Sequence, residues 1–108
     1  MGTTMKSVWF VLAIAMASGQ SDPLAAADAN AGEQIAARVC AGCHGIGAAK
    51  GVMVQGVFVP SFSEIAQRPN RSRERMAAFI MMPHRPMPGL PLQESEVAHV
   101  VEYILSLK

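Results

Sequence analysis

The sequence predicts an all-α domain of three to four short helices. Apolar residues recur at helical spacing in the first and last parts of the domain. Capping side chains stand ahead of the periodic stretches. No run alternates convincingly enough for a sheet. The chain has 108 residues and a net charge of +1, enough for one small domain. There is no long like-charge run, low-complexity tract or internal repeat, so a strongly basic or acidic tail is excluded.

The first 27 residues read as an export signal. Lys6 supplies the positive start, and Val8 to Ala17 is uninterrupted apolar sequence. That run has the length of a signal-peptide core and falls short of a membrane span. Ala25-Ala26-Ala27 is the preferred cleavage site, leaving residues 28–108, and Ala15-Met16-Ala17 is a possible one. An uncleaved anchor is the alternative. The released domain has about 80 residues, a size at which an apolar core alone is marginal and a staple is common.

The first helix is expected from Asn30, where Asn30-Ala31-Gly32-Glu33 has the form of a capping box. Gly32, Ile35 and Val39 fall on one face. A helical glycine costs about 1 kcal/mol relative to alanine, so Gly32 points to close approach of another helix. The helix runs into Cys40-Ala41-Gly42-Cys43-His44, which holds the only two cysteines in the chain. Two thiols one helical turn apart suit addition to the two vinyl groups on one porphyrin edge, and the following imidazole suits proximal ligation of the iron. The motif therefore predicts one covalently attached haem c, with Cys40 and Cys43 as thioethers and His44 as axial ligand. A thioredoxin-like pair needs a preceding strand, and none is evident. A structural zinc site needs four ligands, and no second pair is present. A plain disulfide leaves His44 without a role.

Gly45 to Val59 lacks a helical period and is expected to travel around the cofactor as a loop. Ser61-Phe62-Ser63-Glu64 is a second capping box, opening a short helix that ends before Pro69. Ser72 caps a third helix to about Met82, with Met76, Phe79, Ile80 and Met82 as its apolar positions. A loop with Pro83, Pro86, Pro88 and Pro91 follows. The last helix covers roughly Glu94 to Leu107, with a stripe of Val97, Val100, Val101, Ile104, Leu105 and Leu107.

For the second axial position Met87 is the best candidate, because Pro86 and Pro88 stiffen its loop and remove two N–H donors. His84 is the rival ligand. His99 points off the apolar stripe, which suits a surface role. Met76, Met81 and Met82 read as core filler on a helix.

These residues resemble the small soluble class I c-type cytochromes over essentially all the domain. The resemblance implies a cytochrome c-like bundle around one haem, its N- and C-terminal helices crossing with Gly32 against Tyr103. It also implies that the Pro60 carbonyl accepts a hydrogen bond from His44, and that Met87-Pro88 is the ligand segment. Three departures stand out: Ala36 at a position often aromatic, Gln93 as a weak cap, and a longer separation between His44 and Pro60. With both axial sites filled by protein, the expected function is one-electron transfer in the periplasm and not catalysis. Redox-protein donors and acceptors are the expected partners, and nucleic acid is not. The alternatives are a dedicated subunit of a periplasmic dehydrogenase or oxidase, and a haem enzyme or gas sensor with an open sixth site. Arg68, Arg71, Arg73, Arg75 and Arg85 form a basic region suited to an acidic docking surface. Arg73 lies in a first helical turn, where the macrodipole disfavours a cation, so a separate role is expected for it.

Overall fold

The computed structural model describes Gly2 and residues 27–108. The export-signal reading concerns residues that, Gly2 and Ala27 apart, lie outside that description. Four helices follow in order: α1 (Ala29–Val39), α2 (Phe62–Gln67), α3 (Arg73–Met81) and α4 (Glu94–Ser106). Among the described residues, no helix is long and apolar enough to cross a membrane.

α1 starts slightly before the expected point. Its cap is Asp28, whose carboxylate accepts from the Asn30 N–H at 2.8 Å. Asp28 also gains a partner invisible in local sequence, since its own N–H donates to His99 Nδ1 at 2.8 Å. The histidine assigned to the surface therefore ties α4 to the start of α1.

α1 and α4 cross closely. A Cβ on Gly32 would lie 1.9 Å from the His99 carbonyl oxygen and 2.9 Å from Tyr103 Cβ. The glycine that weakens α1 locally is what lets the α4 backbone reach it. Ile35 and Ala36 of α1 bury against a core containing Val97, Val100, Val101, Tyr103 and Ile104 of α4. Burying each such aliphatic side chain contributes roughly 1.5–3 kcal/mol. Ala36 is fully buried, so the small residue suits a crossing with no room for a ring. At the start of α4 the Gln93 N–H donates to Glu96 Oε2 at 2.8 Å. A carboxylate one turn on thus supplies part of what the weak cap residue lacks.

Ser61 and Glu64 make both arms of the expected capping box on α2, at 3.2 and 2.7 Å. Ser72 caps α3 by accepting from the Arg75 N–H. Of the four apolar positions on or ending α3, only Met76 is buried; Phe79 and Met82 are exposed.

The segment expected as an irregular loop contains a hairpin, β1 (Val52–Val54) and β2 (Val57–Val59), antiparallel with Met53 opposite Phe58. Its turn is Gln55-Gly56, with φ of 48° and 77°. That left-handed pair is what a type I′ turn requires. Glutamine is not the usual residue before glycine in such turns, and three-residue apolar strands show no alternation. The hairpin accounts for part of the long separation between His44 and Pro60.

Candidate functional site

α1 delivers the cysteines directly. After Val39 the backbone continues in helical turns, with the His44 N–H donating to the Cys40 carbonyl at 2.9 Å. Cys40 is buried and Cys43 exposed, and no disulfide joins them. Burial pushes the Cys40 thiol up, opposite to the lowered range of redox-active pairs. Among the described residues, no strand precedes the motif. Both observations argue against a thiol–disulfide centre.

His44 is held from behind. Its Nδ1–H donates to the Pro60 carbonyl at 2.8 Å, and since a carbonyl only accepts, Nδ1 carries a proton and Nε2 is the nitrogen this bond leaves free. The ring lies 5.4 Å from that of Phe62, which in turn meets Tyr103 edge-on at 6.1 Å. Tyr103 then anchors the following loop, its hydroxyl accepting from the Gly47 N–H at 3.0 Å. Pro60 arrives by way of β2, and Phe62 opens α2, so the hairpin and the capping box together set the back wall of the site.

Two cavities, of about 260 and 200 Å³, adjoin this ring. Cys40, His44, Pro60, His84 and Met87 line both, which makes them two lobes of one cleft. The first lobe adds Phe62, Met76, Phe79, Val100 and Ile104, with Arg68 and Arg71. The second adds Cys43, the β2 strand and the Pro86–Pro88 segment. Every residue singled out from the sequence for cofactor attachment or ligation thus borders one cleft. Met87 sits in a short turn closed by its carbonyl, which accepts from the His84 N–H at 3.1 Å.

The cleft fits a haem. Its lining is predominantly apolar, its nitrogen and sulfur donors suit iron, and its vinyl-reactive thiols stand beside the imidazole. A further observation is independent of the motif. Arg71 Nε is buried and has no hydrogen-bond partner, and Arg71 borders the first lobe beside Arg68. A buried guanidinium donor calls for an anionic acceptor, and a haem brings two propionates.

The basic region divides. Arg73 has a partner within the chain: it pairs with Glu102 of α4 through two hydrogen bonds, which raises its guanidinium pKa further. α3 packs along α4, so a carboxylate 29 residues away offsets the unfavourable helix-end charge. Arg68 and Arg71 face the first lobe, and Arg85 the second. The roles of Phe62, His99 and Arg71 escaped the sequence reading. Only Phe62 left a local trace, as an aromatic ring inside the capping box.

Residues 27–104 match the family model described as cytochrome c oxidase, cbb3-type, subunit III. The chain is also 43% identical over 97 residues to cytochrome c-552 of Bradyrhizobium diazoefficiens, covering 90% of each chain. No solved structure matches it significantly.

Proposed function

The chain belongs to the family of small mono-haem c-type cytochromes, with covalent haem c as cofactor, and from that membership we propose that it carries single electrons between redox proteins of the periplasm. The observation that carries the reading is the shared lining of the two lobes, which places His44 and Met87 on the same cleft. When bound, the haem supplies a one-electron Fe(III)/Fe(II) couple.

The chain's own residues do the rest. Cys40 and Cys43 hold the group by thioether bonds. The Pro60 carbonyl orients the His44 ring through Nδ1, so that Nε2 would be the nitrogen offered to the iron. Met87, on its proline-stiffened turn, would supply the second ligand. A thioether ligand and an apolar wall both favour the reduced state, the second by disfavouring the extra charge of Fe(III). Arg71 and Arg68, which border the first lobe, would hold the propionates. Fixed ligands leave no coordination site for a substrate, and little rearranges when the electron moves. The N-terminal 27 residues act as the export signal, with cleavage after Ala27.

A second reading is supported by the description of the matching family model, which is that of an oxidase subunit. On it, the same site works inside a permanent complex. Size-exclusion chromatography of gently solubilised native membranes and periplasm separates the two, since a free carrier elutes alone.

The test of the closed site is spectroscopic. Oxidised protein matured with haem should show the weak red methionine–iron absorption, and the reduced form should bind carbon monoxide poorly. Ready carbon monoxide binding and no red band would contradict the proposal.

A further inference from the structure

His84 shares two features with His44, although it is exposed where His44 is half-buried. Each borders both lobes of the cleft. Each has Nδ1 fixed on a backbone carbonyl, His44 on Pro60 at 2.8 Å and His84 on Met82 at 3.0 Å. The carbonyl can only accept, so in both rings Nδ1 donates and Nε2 is the nitrogen left free of that bond. This arrangement orients a metal-binding imidazole and raises its basicity. The His84 ring is also steadied edge-on against Phe79, with centroids 5.1 Å apart.

Position matters as much as preparation. His84 and Met87 face each other across one turn, joined by the 3.1 Å bond from the His84 N–H to the Met87 carbonyl. Both side chains border the cleft from that one turn. Imidazole is the stronger donor to oxidised iron and thioether the softer one. With both in place, the proline-held methionine keeps its position; with the thioether gone, the prepared imidazole stands three residues away.

We propose that His84 is a standby axial ligand, which takes the sixth position when the Met87 thioether is lost and keeps the iron site closed. The inference rests on the Met87 reading above. One chemical route to that loss needs only a peroxide: one oxygen atom passes to the Met87 sulfur, giving the sulfoxide, and hydrogen peroxide leaves as water.

The test compares haem-loaded Met87→Ala with Met87→Ala/His84→Phe. The single variant should stay low-spin in absorption and electron paramagnetic resonance, with no red methionine band and a lower midpoint potential. The double variant should turn high-spin and bind carbon monoxide at least tenfold faster when reduced. A single variant that is already high-spin overturns the proposal, as does a double variant that remains low-spin. Should Met87→Ala hold haem poorly, peroxide-treated wild type and His84→Phe holoproteins give the same comparison without a change at Met87. Wild type should stay low-spin after treatment and His84→Phe should not; equal behaviour overturns the proposal. Untreated wild type separates the two claims. A red band there with a high-spin single variant defeats only the standby role. Absence of the band defeats the Met87 reading and the standby role together.

Discussion

The α1–α4 crossing and the cleft beside it are held together in different ways. At the crossing, protein meets protein: Gly32 accepts the His99 carbonyl at closer range than any side chain permits, and Ala36, Val97 and Val100 bury almost completely. At the cleft, Met76, Phe79 and Met87 line a cavity together with Cys40 and His44, and Arg71 holds a buried donor without a partner. The crossing is satisfied by its own sequence. The cleft is completed by a group the chain does not encode. The scaffold can therefore be argued from helix packing, and the site only from the chemistry of what fills it.

Four substitutions bear on that contrast, in falling order of effect. Gly32→Val drives a branched side chain into the α4 backbone, which cannot retreat without losing the core. It should cost more than about 4 kcal/mol, so little holoprotein is recovered. Recovery with wild-type thermal stability would mean that the crossing is looser than described. Phe62→Ala strikes where the regions meet, between His44 and Tyr103. A loss of about 3–5 kcal/mol is expected, along with a disturbed axial-histidine signal in NMR. A stability loss with an unchanged histidine signal would assign Phe62 to the scaffold alone.

Tyr103→Phe removes the acceptor for the Gly47 N–H and leaves the ring in place. About 1 kcal/mol should be lost in denaturant unfolding, with faster amide exchange at Gly47. No change at Gly47 would detach the loop from α4. The smallest effect concerns pH. Hydrogen bonding from the Ser61 backbone N–H, first among several causes, holds the Glu64 carboxyl below its ordinary value. A carboxyl with a depressed folded pKa adds stability fully present above its unfolded value of about 4.3. That stability disappears as pH falls through the folded value. Glu64→Gln should therefore flatten the acid limb of the stability profile and leave the neutral-to-alkaline part unchanged in shape. An unaltered acid limb would remove Glu64 from the account.

Much of the scaffold was legible because helices announce themselves locally. Ser61 with Glu64, Ser72 before α3 and the stripe on α4 each put their signal within one or two turns. The start of α1 was misplaced because Asn30 and Asp28 are both competent caps, and the choice depends on His99, which lies 71 residues from Asp28. The hairpin was missed because Gln55-Gly56 departs from the usual turn pair. In the site, Cys40, Cys43 and His44 were legible because porphyrin chemistry fixes their spacing. Met87 was singled out by the prolines beside it, and it borders the cleft. Arg73 was misread because its partner, Glu102, belongs to another helix. Arg71 and His84 show what they are prepared for only when the cleft is seen.

The central claim is that His44 and Met87 close the iron between them and make the chain an electron carrier. The direct measurement is the visible spectrum of the oxidised holoprotein beside that of Met87→Ala. The account predicts a weak red methionine–iron band in the first and none in the second. Persistence of that band in Met87→Ala would contradict it.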